Sequence, residues 1–175
     1  MGLVLARPAV PMKTLRALVR DFYEGATVRS RFSCLDKADL LAFEEADLAR
    51  VGDVAVLMSE LIVAELAPPL PEEPPPDAWV KLVETSTSLL VTFVDTVADV
   101  QWFQLYREGE LQASETWDEE SGRTLWRRAD APSYIVPGSR GENEREWFDL
   151  VEGFLGRSYS ELSSQRAAWE RWALM

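Results

Sequence analysis

The run Ser88-Leu89-Leu90-Val91-Thr92-Phe93-Val94-Asp95 continues across Thr96–Ala98 into Asp99-Val100-Gln101-Trp102-Phe103-Gln104-Leu105-Tyr106-Arg107. The density of β-branched and aromatic residues argues for two strands rather than one long helix. Glu110–Trp117 extends the series after Glu108-Gly109, which suits a hairpin turn. Trp79–Glu84 reads as a strand before it and Arg123–Arg128 as one after it. Such short connections force antiparallel neighbours. The expectation is an α+β fold around an antiparallel meander of four to five strands, over about residues 79–128.

The faces of these strands carry further information. Val100, Trp102, Gln104 and Tyr106 alternate with Gln101, Phe103 and Leu105, while Leu90 and Val94 alternate with Leu89, Val91 and Phe93. A meander with one wet face alternates more cleanly. Either helices cover both faces or one face binds something, and the number of helical patterns favours self-coverage.

Outward from the meander, the pattern has the helical period. Pro11 opens and Gly25 closes a stripe of Leu15, Leu18, Val19, Phe22 and Tyr23, so a helix is expected over about 11–24. Asp36 and Asp53 sit where N-caps belong, and Gly52 where a helix stops. The apolar residues Leu40, Leu41, Phe43 and Leu48, then Val54, Leu57, Met58, Leu61 and Ile62, suggest helices over about 37–51 and 54–66. Between them and the first helix, alternation at Val28, Ser30 and Phe32 allows a short strand. On the C-terminal side, Asn143 with Glu146 and Ser158 with Glu161 have capping-box spacing. They open helices expected over about 143–155 and 159–173. Residues 68–76 hold six prolines, too many for helix or central strand, and read as a stiff extended linker within a single domain spanning 1–175.

Composition removes many chemistries. The chain of 175 residues has no histidine and one cysteine, Cys34. Ser-His and Cys-His nucleophiles, histidine zinc ligands and intramolecular disulfides are therefore excluded. The nine glycines form no phosphate-binding motif. No cofactor, metal site or catalytic residue is expected. Asp95 and Asp99, bracketing a turn, are the pair that an Asp/Glu-dependent hydrolase would need, but an acidic protein offers such pairs by chance. No apolar stretch is long enough for a membrane span, and Pro8 and Pro11 break up any leader-like start, so a soluble cytoplasmic protein is expected. Fifteen arginines against three lysines point to a GC-rich bacterial genome.

Net charge is −12 and unevenly spread. Residues 1–35 carry six basic groups against two acids, residues 36–122 four against twenty, and residues 123–175 eight against eight. Such a field attracts a cationic partner and repels nucleic acid. Asp118-Glu119-Glu120 forms the densest acidic turn, surrounded in sequence by Glu108, Glu110 and Glu115 and flanked by Trp117 and Trp126. Aromatic rings beside carboxylates suit a protein interface, and the two tryptophans also suit a cross-strand pair closing the hairpin. The expected function is non-enzymatic binding of a basic protein, in an inhibitor, immunity or antitoxin-like role, with these eight residues as the contact. A secretion or folding chaperone and a DNA mimic are the alternatives.

Overall fold

The computed structural model describes residues 1–35, 42–67, 75–95, 98, 100–118, 122–132 and 143–174. Nine strands form one antiparallel sheet: β1 (Gly2–Arg7), β2 (Thr27–Phe32), β3 (Glu45–Val51), β4 (Val54–Met58), β5 (Ser88–Asp95), β6 (Val100–Arg107), β7 (Glu110–Asp118), β8 (Gly122–Arg127) and β9 (Trp169–Ala173). Their order across the sheet is β2-β9-β3-β4-β1-β5-β6-β7-β8. Among the described residues there are also five helices: α1 (Met12–Phe22), α2 (Glu60–Glu65), α3 (Asp77–Thr85), α4 (Asn143–Leu155) and α5 (Tyr159–Ser164). No described helix is long and apolar enough to cross a membrane.

The expected meander is present as β5–β8, but it is one end of a larger sheet. Its β6–β7 turn, Glu108-Gly109, has φ 52° and 82°. Both central residues are left-handed, as a type I′ hairpin requires. The rest of the structure corrects five expectations. The helix expected over 37–51 is absent from its described part, where β3 stands instead. The stretch expected as helix 54–66 divides into β4 and the short α2. Gly52 (φ 64°) and Asp53 join β3 to β4 with Val51 opposite Val54, so they form a two-residue hairpin and not a stop and a cap. Trp79–Glu84 is α3 and not a strand: Pro76 precedes its first turn, and Ala78, Trp79 and Leu82 are buried at helical spacing. The helix expected over 159–173 ends at Ser164, although both arms of its Ser158–Glu161 capping box form. The chain then runs extended into β9, which inserts between β2 and β3.

Two core layers explain these departures. On one face, Leu15, Leu18 and Val19 of α1, Ile62 and Val63 of α2, and Trp79 and Leu82 of α3 pack with Val4, Leu48, Leu57, Val91, Trp102 and Trp172. On the other, Trp147, Val151 and Phe154 of α4 and Leu162 of α5 pack with Leu3, Leu5, Val51, Val56, Leu90, Phe103 and Trp169. Strands β1 and β4 lie mid-sheet under both layers and are buried on both sides. They have no reason to alternate, and their continuous apolar runs satisfy the helical period as well as the strand one. The tight centre explains Gly2: a Cβ there would meet the Ser59 carbonyl oxygen, and Val63 Cβ at 2.7 Å. Of the expected linker, only Pro75 and Pro76 lie among the described residues. Strands from both sides of it share the sheet, since β1 pairs with β5.

Candidate functional site

The charges of β9 divide between the two faces. Arg171 makes a bidentate pair with Asp47 (2.8 and 2.7 Å) and lies 3.6 Å from Glu45. All three are buried, and Arg29 closes on Glu45 from the sheet edge. On the α1 side, Glu170 accepts two hydrogen bonds from Arg16 (2.9 and 2.7 Å), with Arg31 at 3.5 Å, while Arg20 lies over the Trp172 ring at 5.2 Å. Much of the basic N-terminal segment is thus engaged internally: four of its six cations hold β9 and β3, and Arg7 binds Asp53 at 3.2 Å. The network anchors strands.

These pairs set a pH response. Hydrogen bonds from Arg16 hold the Glu170 carboxyl below its ordinary value of 4.5 against the opposing effect of burial. At Glu45 burial alone acts upward, and the Ala42 amide together with Arg171 and Arg29 outweighs it, leaving the carboxyl lowered as well. A lowered folded-state pKa stabilises above the unfolded value and loses that effect as pH falls through the folded one. Resistance to urea should therefore fall as pH drops below about 4.5, and Glu170→Gln should flatten that acid limb. Between about pH 6 and 8, a chain without histidine should show nearly constant stability.

Two surface depressions carry polar groups. A groove of about 460 Å³ between α1 and α3 is lined by Lys13, Asp21, Asp77 and Lys81. Its charges balance, and Asp21 accepts the Ala78 N–H at 3.1 Å, capping α3. The second, about 300 Å³, lies at the β6–β7 turn and is lined by Arg107, Glu108, Glu110, Gln112, Arg128 and Asp130. There Arg128 pairs with Glu110 at 2.9 Å and Asp130 at 3.5 Å, and all three side chains are substantially exposed.

This second cleft adjoins the meander end of the sheet, beyond the packed layer of the described helices. On the α1–α3 side the packed layer reaches Trp102 and Tyr106 of β6 and includes no residue of β7 or β8. Beyond it, the register sets Ser114 against Gln104 and Trp126 against Ser114. Trp126 is 48% exposed and Thr124 is exposed beside it. Trp126 therefore stands on a mostly polar stretch of sheet that the packed layer of described helices does not reach.

The structure separates the eight residues singled out from the sequence. Trp126 lies on the α1–α3 side of the sheet, with Glu108 and Glu110 at the cleft. Glu115 is on the opposite, α4-facing side, 3% exposed and held by Arg123 at 2.7 Å. Trp117 shares that side, opposite Arg123 in register, so it cannot form the expected cross-strand pair with Trp126. The parity of the β7–β8 register decides this, because directly opposed residues share a face. Asp118 ends β7, its side chain lying outside the described residues, as do Glu119 and Glu120. Sequence reasoning missed Gln112, Arg128 and Asp130. Arg128 follows the last residue of β8, and only the register returns it to Glu110. Of the bracketing aspartates, Asp95 accepts the Ala98 N–H at 3.0 Å, and Asp99 lies outside the described residues. Cys34 is buried and donates to the Ser163 carbonyl at 3.1 Å, a packing role. Among the described residues no cluster of acids and cysteine is suited to hold a metal ion. Comparison with protein-family models, with curated proteins and with solved structures finds no match for this chain.

Proposed function

We propose that the protein acts by binding rather than by catalysis, and that it takes a basic protein partner at the β7–β8 end of its sheet, in the cytoplasm, in the manner of an inhibitor, immunity protein or antitoxin. The observation that carries this reading is Trp126, half exposed on sheet surface beyond the described helical cover. Acids bracket it: Asp118-Glu119-Glu120 precede β8 in sequence, and Glu108, Glu110 and Asp130 gather at its far end. A large ring at the centre of a contact supplies buried area on association, and a rim of carboxylates orients Lys and Arg groups. Glu115 and Trp117, turned toward α4, are left out of the proposed contact.

The test uses a partner recovered by crosslinking in cells. Its association with the protein should slow as salt rises, since the Debye length falls from about 10 Å at 0.1 M to about 3 Å at 1 M. The triple variant Asp118→Asn, Glu119→Gln, Glu120→Gln should slow association several-fold at low salt with little change in dissociation. A partner whose association rate ignores both salt and this variant would refute the reading.

A further inference from the structure

The cleft at the β6–β7 turn is built on a bulge. Leu105 stands opposite Ala113 but Tyr106 opposite Leu111, so Gln112 is the extra residue of β7. Bulges re-aim side chains and are frequent beside functional sites. Here the bulge residue is 6% exposed and lines the cleft. Its Nε2 donates to the Glu110 carbonyl at 3.4 Å, a long bond, and its Oε1 accepts none from a described residue. Its backbone carbonyl accepts the Arg128 N–H at 2.8 Å, which brings a second arginine to the cleft beside Arg107.

The charges around Gln112 are of both signs. Arg128 is engaged by Glu110 and Asp130. Arg107 and Glu108 are exposed, and neither makes an ion pair with a described residue. A buried amide with an open oxygen, a spare guanidinium and a spare carboxylate therefore line one space of about 300 Å³. That is the lower end of ligand-pocket volumes, room for one residue rather than for a helix. A partner offering only Lys and Arg side chains would leave Arg107 facing like charge. A group that carries a carboxylate beside a cation satisfies both signs. The guanidinium takes the carboxylate through two parallel hydrogen bonds, and Glu108 and Gln112 Oε1 accept from N–H donors.

We infer that this cleft receives the C-terminal residue of the basic partner, a lysine or arginine, with its end carboxylate on Arg107, its side-chain cation on Glu108 and its last backbone N–H on Gln112 Oε1. This deepens the binding reading above and rests on it. Capture of a chain end is a recurrent mode of peptide recognition. A chain end is also the place where a basic segment carries a carboxylate without an acidic side chain, so one residue answers both signs of the cleft. The acids Glu110 and Asp130 stay with Arg128 and hold it against the Gln112 wall.

The probe is a synthetic peptide of about six residues, acetylated at its start and ending in lysine, made both as the free acid and as the amide. The acid should bind the intact protein about tenfold more tightly, because the amide form loses a charge-assisted pair. A free-acid counterpart ending in norleucine should also bind about tenfold more weakly than the lysine acid. Arg107→Gln should erase the difference between acid and amide and keep the preference for lysine, and Glu108→Gln should do the reverse. Both residues are exposed, so these variants should fold. In NMR spectra of the unmodified protein the Gln112 side-chain amide signals should shift as the acid peptide binds, which places it at the cleft without any variant. If acid and amide bind alike, or if Arg107→Gln leaves their difference intact, end capture is wrong, while a partner with salt-dependent association would still uphold the binding surface around Trp126. Absence of peptide binding, binding that leaves the Gln112 signals unmoved, or free lysine binding as tightly as the peptide each overturns the inference.

Discussion

Arg171→Met is expected to destabilise the protein by about 3–5 kcal/mol in urea unfolding, among the largest effects of any single substitution here. Asp47 is fully buried, and its two oxygens accept from the Arg171 guanidinium. Removing that guanidinium leaves a carboxylate in the core without its counter-charge, which accounts for the size of the effect. The loss should begin locally. Among the described strands β2 pairs its backbone with β9 alone, so its amide hydrogens should lose protection first. Replacing both partners together, Asp47→Leu with Arg171→Met, should recover most of the stability, because a well-packed apolar pair avoids desolvating two ions. Glu45 keeps Arg29 in that double variant. A single variant within about 1 kcal/mol of the parent would show that the pair is far better hydrated than its burial implies.

The second large effect is a contrast between two tryptophans. Trp172 is 1% exposed, faces α1 and carries Arg20 over its ring. Trp172→Ala should cost about 3–5 kcal/mol, through lost transfer energy and the cavity left beside Leu18, Val19 and Ala46. Trp126→Ala, at the other end of the same face, should cost about 1 kcal/mol or less, since the ring is half in solvent. The order should reverse in binding. A ring central to the proposed contact is expected to contribute about 2 kcal/mol or more to partner affinity, some thirtyfold. The measurements are a melting curve for each variant and a titration of the crosslinked partner. Equal stability losses would mean that Trp126 is covered, and with it the proposed surface.

Which parts of this molecule were legible in advance follows from how much each element depends on distant chain. Strands β5 to β8 were readable because each folds back on its sequence neighbour, and Glu108-Gly109 sets the β6–β7 hairpin locally. Helices α1 and α4 were readable because one face of each meets the sheet and the other meets water, so their stripes are clean. The β3–β4 hairpin was misread although its residues carried the signal. Val51-Gly52-Asp53-Val54 fits a two-residue hairpin as well as a helix stop and cap, and the valines on either side favour the strand.

Composition and local pattern by themselves determined the α+β class, the absence of histidine chemistry, the acidic middle of the chain and the meander with its turn. Tertiary structure alone decided the rest. Strand β1 has no turn partner: it pairs with β4, about 50 residues away, and with β5, more than 80 residues away, and is buried on both faces, which removes the period-2 signal. Strand β9 takes its conformation from the slot between β2 and β3, where Asp47 and Arg16 receive Arg171 and Glu170; in isolation Trp169-Glu170-Arg171-Trp172 suits a helix as well. The candidate surface was decided the same way. Trp117 and Trp126 looked alike in sequence, and Glu115 looked like Glu110. A register in which Trp117 opposes Arg123 and Ser114 opposes Trp126 sends one ring and one acid toward α4 and leaves the other ring, half exposed, on the opposite face. Side-chain facing in a sheet has a period of two, so it depends on pairing register, and no single strand carries that information in its own residues.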